Sequence, residues 1–328
     1  MKICIYGAGS VGGYLGARLA ATEGIEASLI ARGAHLAAIR QDGLTLHQQG
    51  ESLTVRPAAS DNPADFGPQD VVICTVKAHG LTGIARSMAP LLGPDTAVVF
   101  AMNGVPWWYF HALPGQHEGR SIDRLDPGGI IRDAIGPKRA IGCVVHIGAE
   151  VTSPGTVTVT GRERFEMGEP DGSMSPRLTR LMEAFGTAGI TAVAHDNIRD
   201  YVWSKLLGNI TSNPLSALTR ATMGQLYDDD ILRGFMRRMM EEAEAVASAL
   251  GASLPVSIDK RFESGPRLKD FKTSTLQDLL AGRPLEIEPI VGAVVELGDL
   301  TGVETPSIDL IYALLKRLAI NEGLYPAG

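Results

Sequence analysis

Over about the first 195 residues, short apolar runs alternate with longer segments of mixed polarity. The apolar runs are nearly continuous and cover residues 2–6, 27–31, 70–76 and 96–102. Runs of this kind are typical of strands that are buried on both faces of a parallel sheet. A helix-like segment over 11–21 separates the first two runs. The pattern therefore predicts a doubly wound α/β domain.

Residues 144–161 follow a different pattern, in which polar and apolar positions alternate. Ser153, Pro154 and Gly155 interrupt the segment at its middle, and threonine and valine alternate over 156–160. Alternation with a central turn predicts an antiparallel hairpin. We expect hairpin strands of this type to close the first domain.

After His195 the strand pattern disappears and helical periodicity takes over. Predicted helices cover 197–218, 285–300 and 307–320, and another runs from the acids at 228–230 to Leu250, before Gly251. Thr305 and Pro306 provide a cap and a first-turn proline for the last helix. The sequence predicts two domains, an α/β domain over 1–195 and an all-helical domain over 196–328.

Composition supports two folded domains and argues against a nucleic-acid-binding protein. The chain has 328 residues, 45% of them hydrophobic, so it is long and apolar enough for two cores. Its net charge of −7, from 30 basic and 37 acidic residues, argues against nucleic-acid binding. Glycine numbers 38, about 12% against an average near 7%, which indicates tight turns and close approach of the backbone to a ligand.

Cysteine usage and hydropathy indicate a cytoplasmic protein. Cys4, Cys74 and Cys143 all lie in strand-like apolar runs, and neither their odd number nor their spacing suits disulfides or a zinc site. We expect three reduced core thiols. No apolar run approaches the roughly 18–20 residues of a membrane helix, and the apolar run after Lys2 stops at Gly7, too early for a signal peptide.

A glycine fingerprint follows the first predicted strand. It consists of Gly7, Ala8, Gly9, Ser10, Val11 and Gly12. Between a strand and a helix, this GxGxxG pattern provides a tight turn, close approach to a pyrophosphate and close helix–strand packing. The alternative is a glycine-rich turn without a ligand. The context favours a dinucleotide on the N-terminus of the helix.

Arg32 lies at the end of the second predicted strand, 20 residues after Gly12. An acid at this point would bind the ribose 2′-hydroxyl of NAD, whereas a guanidinium can hold the 2′-phosphate of NADP. The alternative is a solvated arginine in a turn. We expect NADP(H) as the cofactor.

Two polar residues follow the later strands, Lys77 after the run at 70–76 and Asn103 after the run at 96–102. Open α/β sheets bind ligands outside the carboxyl ends of their strands, so both residues are candidates for contact with the cofactor. Each alone has an ordinary explanation, since a lysine can reach solvent along the surface and Asn-Gly is a common turn.

Lys205, Asn209 and Asn213 are spaced i, i+4, i+8, which puts them on one face of a single helix. Leucines and an isoleucine surround this stripe, which is unusual for a merely solvated face. Pro214 is expected to end or kink the helix directly after Asn213. A lysine and two amides thus form one polar stripe on this helix.

Taken together, these features resemble the ketopantoate reductase family, the NADPH-dependent 2-dehydropantoate 2-reductases, over nearly the whole chain. The resemblance rests on GAGSVGGYLG, VKAHG, MNG, WSKLLGNITSNPLSAL and STLQDLLAGRPLEIE. It implies a Rossmann-type domain followed by a helical domain similar to the C-terminal domain of 6-phosphogluconate dehydrogenase. A homodimer is expected at the level of the family.

The resemblance also implies roles for single residues. Lys205 matches the general acid, and Asn209 and Asn213 match residues that contact the substrate or the lysine. Glu286 matches a catalytic acid on the side of the substrate hydroxyl, and Ser274 matches a donor to its carboxylate or carbonyl. Asn103 matches a residue that contacts both the cofactor and the substrate. Glu286 has an alternative explanation, since an acid in the first turn of a helix complements the helix dipole.

Two features depart from the family pattern and bear on the substrate. Where the family often has a further asparagine, this chain has Thr222 and Met223. The stretch 106–137 is longer and more aromatic, with Trp107, Trp108, Tyr109 and Phe110 in succession. These aromatic residues are expected either to shape the substrate side of the cleft or to pack between domains or subunits.

The predicted activity is NADPH-dependent reduction of a small 2-oxo acid, with ketopantoate as the best single substrate, in the cleft between the domains and without a metal. One alternative is a related enzyme acting on another 2-oxo or 3-hydroxy acid, such as a 6-phosphogluconate or 3-hydroxyacid dehydrogenase. Another is a catalytically silent NADP-binding regulator. Lys205 and Glu286 together argue against the regulator.

Overall fold

The computed structural model describes residues 1–264 and 269–325, which form two compact units. The first unit comprises Met1–Met102, Trp108–Ser121 and Gly128–Ile198, and the second comprises Asn103–Trp107, Ile122–Pro127 and Arg199–Gly328. The main change of unit, at Ile198, lies close to the predicted boundary. Two short segments that precede this boundary nevertheless belong to the second unit.

The first unit is built on a ten-stranded mixed sheet. Its strands lie in the order β4-β3-β9-β8-β7-β6-β1-β2-β5, and β10 pairs with β9. The pairs β3–β4 and β8–β9 are antiparallel and the others are parallel. The strands are β1 Lys2–Tyr6, β2 Glu26–Ile30, β3 Leu44–Gln48, β4 Glu51–Val55, β5 Ala58–Ser60, β6 Gln69–Cys74, β7 Leu92–Ala101, β8 Ala140–Ser153, β9 Thr156–Gly168 and β10 Ala192–Ala194.

Five α-helices accompany this sheet, and the first of them helps to form the core. Leu15 and Leu19 of that helix are fully buried in one cluster with Ile5 and Ile73 of the sheet. The predicted parallel strands and the hairpin are confirmed, and all three cysteines are buried. The helices are α1 Ser10–Ala20, α2 Gly33–Asp42, α3 Ala78–Ala85, α4 Ile130–Ile135 and α5 Pro176–Thr187.

The second unit is helical, and none of the described residues after Ala194 lies in a strand. The predicted α/β class with a helical C-terminal domain is therefore confirmed. Its helices are α6 Ile198–Thr219, α7 Met223–Asp228, α8 Asp230–Ala249, α9 Ile258–Ser264, α10 Ser274–Leu280, a π-helix Glu288–Gly292, α11 Ala293–Thr301 and α12 Pro306–Asn321.

The structure refines three local predictions for this unit. Helix α6 confirms the predicted helix over 197–218 and continues to Thr219, so Pro214 does not end it. Buried residues on both sides of the proline offset its missing hydrogen bond. The segment 285–300 is not one α-helix, since a π-helix precedes α11. Thr305 and Pro306 occupy the predicted N-cap and first-turn positions of α12, but the Thr305 side chain makes no capping hydrogen bond. Instead, the Glu242 carboxylate accepts the N–H groups of Ser307 and Ile308 at 3.0–3.1 Å.

The turn between β8 and β9 contacts α2 through His35. The Gly155 N–H donates to His35 Nδ1 at 3.0 Å, so this nitrogen must be unprotonated. Burial lowers the pKa of His35 from its ordinary value of 6.5, and the Ala8 backbone opposes this effect in part. The folded state therefore favours the neutral imidazole.

Acidification below about pH 6.5 is expected to reduce the free energy of unfolding, because the unfolded chain takes up the His35 proton first. The stability that the neutral His35 contributes to the folded chain is fully present above about pH 6.5 and is lost as the pH falls toward the lowered pKa. His35→Asn keeps an acceptor for Gly155 without the titration, so its unfolding free energy should depend less on pH between 5 and about 6.5 in urea titrations. His47→Asn, at an exposed histidine, is the control. An equal pH dependence in His35→Asn and the native chain would contradict the assignment.

Candidate active site

The glycine fingerprint forms the turn between β1 and α1, and Gly7 and Gly12 each have a steric reason for being glycine. Gly7 has φ +104°, a conformation that favours glycine. A Cβ on Gly12 would lie 2.1 Å from the Gly7 carbonyl oxygen and 2.5 Å from Thr75 Oγ1, so only glycine allows this approach of helix to strand. A Cβ on Gly9 would meet no atom within 4 Å. The backbone at Gly9 is thus open to a ligand.

The first turn of α1 is suited to an anion. It contains no acidic residue, and Gly9 provides no side-chain cap for its N–H groups. Ala8 is buried, while Ser10 and Val11 are half-buried. Helix N-termini of this kind bind phosphate through their unpaired N–H groups. The turn therefore fits the pyrophosphate of a dinucleotide.

Arg32 is exposed and is the N-cap residue of α2, two residues after β2 ends. No acid stands among its neighbours Ala31, Gly33 and Ala34. The end of β2 thus presents a guanidinium where NAD-binding proteins of this fold present a carboxylate. The Arg32 guanidinium, with no acid beside it in the sequence, therefore fits a 2′-phosphate.

Lys77 and Asn103 follow neighbouring strands but belong to different units. Lys77 is half-buried at the N-cap of α3. Asn103 belongs to the second unit, and its Nδ2 donates to Glu286 Oε2 at 3.4 Å. The structure thus brings together two predicted site residues that lie 183 positions apart in the sequence.

Glu286 does not lie in the first turn of a helix, which corrects the sequence prediction. The π-helix begins at Glu288, and its N-cap residue is Ile287. Glu286 is also only 9% exposed. An acid that merely complements a helix dipole needs neither burial nor an amide partner. The burial of Glu286 and its contact with Asn103 favour a role in the site.

The stripe of Lys205, Asn209 and Asn213 lies on a continuous stretch of α6, as predicted. Lys205 and Asn209 are half-buried, and Asn213 is only 4% exposed. Asn213 Nδ2 is buried and has no hydrogen-bond partner among the described residues. Buried polar groups are nearly always paired, so this donor is suited to a ligand acceptor.

Family comparison covers both units. A family model described as Ketopantoate reductase PanE/ApbA matches residues 3–114, and one described as Ketopantoate reductase PanE/ApbA C terminal matches residues 197–319. The chain belongs to the ketopantoate reductase family. The resemblance predicted from the sequence is confirmed.

Relatives of this family match the full length of the chain. The 2-dehydropantoate 2-reductase of Mesorhizobium japonicum is 45% identical over 325 residues, covering 99% of this chain and 100% of that protein. A crystal structure from Ralstonia solanacearum MolK2 has 43% identity and a TM-score of 0.93, with 99% of each chain covered. The chain is an oxidoreductase.

A more distant structure shares the fold alone. It is the ternary structure of D-mandelate dehydrogenase with NADH and anilino(oxo)acetate, with 22% identity and a TM-score of 0.83. It covers 99% of this chain and 100% of that one. The fold of the ketopantoate reductase family therefore does not by itself decide the acid or the nucleotide.

Ser274, the remaining predicted site residue, begins α10 and is exposed. Its neighbour Thr273, which the sequence analysis missed, is 2% exposed and hydrogen-bonds to Ser216 of α6. Thr273 also accepts the Leu276 N–H as the cap of α10. A threonine directly before a helical run was the available signal. This pair fixes the start of α10 against α6.

Both departures from the family pattern have a structural explanation. Thr222 forms a capping box with Gln225 at the start of α7. Trp107, Trp108, Tyr109 and Phe110 are only 0–6% exposed. A Cβ on Gly142 would lie 2.9 Å from the Trp108 ring, so this ring packs against β8. Burial of this degree favours packing over a place at the mouth of the cleft, and the packing shown for Trp108 lies within the first unit.

No helix in the described part of the chain is long and apolar enough to cross a membrane. Within residues 1–264 and 269–325, no group of three or more histidine, cysteine, aspartate or glutamate side chains could hold a metal ion.

Replacing Asn213 by leucine is expected to separate stability from function. An unpaired buried donor costs about 1–3 kcal/mol, so Asn213→Leu should raise the Tm by about 2–4 °C or more. Loss of a donor to a charged substrate group should raise the KM for the 2-oxo acid about tenfold or more. Calorimetry and steady-state kinetics measure the two effects.

Thr211→Val is the matched control in the same helix, because the Thr211 hydroxyl already donates to Leu207 O at 3.2 Å. It should leave KM unchanged and should not raise the Tm. A lower Tm in Asn213→Leu would show that the amide has a structural role.

Proposed function

We propose that this chain is an NADPH-dependent reductase that converts 2-dehydropantoate (ketopantoate) to pantoate in pantothenate biosynthesis. The observation that carries the proposal is the polar stripe of α6. Lys205 shares one face with two amides there, and the buried Asn213 Nδ2 has no hydrogen-bond partner within residues 1–264 and 269–325. Such a stripe suits a small anion that carries a carbonyl group. Membership of the family and the 45% identity to a 2-dehydropantoate 2-reductase support the choice of acid.

The first unit would hold the cofactor. The turn at Gly7, Gly9 and Gly12 fits the pyrophosphate, Arg32 fits the 2′-phosphate, and Lys77 follows the adjacent strand of the same sheet. When bound, the reduced nicotinamide supplies a hydride to the keto carbon of the substrate. The absence of an acid beside Arg32 favours NADPH over NADH.

Residues of the second unit would bind and protonate the substrate. Asn209, Asn213 and Ser274 would donate hydrogen bonds to its carboxylate and carbonyl oxygens. As the keto carbon becomes tetrahedral, its oxygen gains negative charge, and Lys205 gives that oxygen a proton. The O–H bond formed completes the 2-hydroxy acid, and the neutral lysine regains a proton from water. Glu286, held by Asn103, would orient the lysine and the new hydroxyl.

A substrate and cofactor screen tests this proposal. The full-length chain is assayed for oxidation of NADPH and NADH at 340 nm with ketopantoate, pyruvate, oxaloacetate, 2-oxoisovalerate and benzoylformate. The expected result is the highest kcat/KM for ketopantoate with NADPH. Preference for another acid would favour the related-dehydrogenase alternative. NADPH binding without turnover of any acid would favour the regulator.

The proposal extends to location and assembly. Burial of all three cysteines supports action in the reducing cytoplasm. A homodimer is proposed from the family resemblance, and the mass in solution by light scattering tests it.

A further inference from the structure

The segment that carries Glu286 is held at both of its ends within the second unit. The Leu285 N–H donates to Leu324 O at 3.1 Å, near the end of the described chain. Four residues later, Pro289 O accepts the Val105 N–H at 2.8 Å. Glu286 lies between these bonds. Its position thus depends on the backbone from 285 to 289.

The backbone of Gly104 lies so close to Pro289 that neither segment can move far without a clash. Gly104 has φ +87°, and a Cβ there would lie 2.2 Å from Pro289 O. Asn103, directly before Gly104, is the residue that contacts Glu286. A small displacement of the π-helix would therefore alter the contact between Asn103 and Glu286.

The side chain of Glu288 is the third attachment of this segment. Its Oε1 accepts the hydroxyls of Tyr312 (2.9 Å) and Tyr325, and its Oε2 lies 3.5 Å from Arg124 Nη1. A Cβ on Gly292 would lie 2.1 Å from Glu288 Oε2, so the glycine makes room for the carboxylate inside the π-helix. Three donors from three separate parts of the chain meet on this group.

Arg124 reaches Glu288 because the segment Ile122–Pro127 is attached to the helical unit. The Glu296 carboxylate accepts the N–H groups of Asp123 at 2.8 Å and Arg124 at 3.0 Å. The Arg124 guanidinium lies 4.9 Å from the centre of the Tyr312 ring, and its Nη1 donates to the Tyr312 hydroxyl at 2.6 Å. The unusually long stretch 106–137 thus contributes a cation to this cluster.

Tyr325 remains a donor in this environment. Burial raises the pKa of its phenol, and the neighbouring Glu288 carboxylate raises it further. Lys316 Nζ lies 5.0 Å from the centre of the Tyr325 ring and 5.3 Å from that of Tyr312. The phenol therefore keeps its proton and its bond to Glu288 over the working pH range.

We propose that Glu288, bound by Arg124, Tyr312 and Tyr325, is a positioning residue that holds Glu286 against Asn103. The π-helix is a rare conformation that is frequently found at functional sites, and contacts with other segments help to hold this one in place. Glu288 supplies those contacts from within the π-helix itself. This inference rests on the role of Glu286 in the proposed function.

Glu288→Gln tests the proposal in a double-mutant cycle with Glu286→Gln. A residue that acts through Glu286 has no further effect once Glu286 is lost. Glu288→Gln should lower kcat/KM for the 2-oxo acid about tenfold in the native chain and less than about twofold in Glu286→Gln. Tyr325→Phe, which removes one donor, should act in the same direction with a smaller effect.

Glu242→Gln is the matched control, because Glu242 also binds several donors but caps α12. It should lower the Tm and leave kcat/KM unchanged in both backgrounds. Equal losses from Glu288→Gln with and without Glu286 would overturn the proposal. So would a lowered Tm without any change in kcat/KM.

Hydrogen exchange provides a readout that needs no activity. Glu288→Gln should speed exchange of the Leu285 and Val105 amides, which hold the two ends of the segment, while Glu242→Gln should not. Unchanged exchange at both amides would overturn the positioning role. Absence of any reductase activity in the native chain would instead refute the proposed function, so the two failures are distinguishable.

Discussion

Lys205→Ala should lower kcat on the best 2-oxo acid by about 10² to 10⁴. Arrival of hydride leaves a negative charge on the substrate oxygen, and that charge is costly in a partly desolvated site without a proton donor. Lys205 projects from the same face of α6 as Asn209 and Asn213, which suits a donor of fixed direction. Affinity for NADPH should change little, since the glycine turn and Arg32 belong to the first unit.

Two further variants identify what the lysine contributes. Lys205→Arg keeps the positive charge but holds its proton too tightly to release it, so kcat should remain low. Lys77→Ala should instead raise the KM for NADPH or for the 2-oxo acid by at least the factor by which it lowers kcat. Lys260→Ala, at an exposed lysine of the second unit, is the control with expected native kinetics.

Steady-state kinetics and fluorescence titration with NADPH measure these effects. A near-native kcat in Lys205→Ala would show that Lys205 is not the acid. It would also remove the basis for assigning the polar face of α6 to the substrate.

Much of the first unit could be predicted because its sequence signals are local. The central residues of strands β1, β6 and β7 are buried on both faces, so each strand contains a nearly continuous apolar run. The glycine turn could be predicted for the same reason, because a strand, the three glycines and a helix follow one another within 20 residues. In each case the residues of one short segment were sufficient to predict the structure of that segment.

The arrangement of the candidate site depends on contacts that no local pattern specifies. Asn103 meets Glu286 only because Gly104 lets the chain approach Pro289. The π-helix that begins at Glu288 has the same apolar periodicity as an ordinary helix over a few residues, so the sequence predicted a helix there. Contacts between distant segments therefore determine the position of Glu286.

Pro214 and Thr305 show how packing overrides local preference. A proline normally ends a helix, yet α6 is buried on both sides of Pro214 and continues. A threonine before a helix normally caps it, yet the Thr305 hydroxyl donates to Asp309 Oδ1 at 3.0 Å, and Glu242 of α8 supplies the cap. In both cases a neighbouring element supplies what the local sequence lacks.

Arg32→Asp is expected to reverse the nucleotide preference. A guanidinium at the N-cap of α2 can form charge-assisted hydrogen bonds to a 2′-phosphate. Each such bond contributes about 1.5–3 kcal/mol, and exposure of Arg32 reduces this value. The KM for NADPH should therefore rise about tenfold to hundredfold. The aspartate can accept a hydrogen bond from a ribose 2′-hydroxyl, so the KM for NADH should fall.

The salt dependence of binding distinguishes a phosphate contact from a general change in the protein. Attraction between Arg32 and the 2′-phosphate is screened by ions, so the native preference for NADPH should weaken between 10 mM and 500 mM NaCl. NADH lacks that phosphate, and its KM should depend less on salt. Arg180→Asp makes the same change of charge at an exposed position of α5 and should preserve the preference. If the native chain binds NADPH and NADH equally at low salt, then Arg32 is a solvated arginine, and the preference for NADPH must be abandoned.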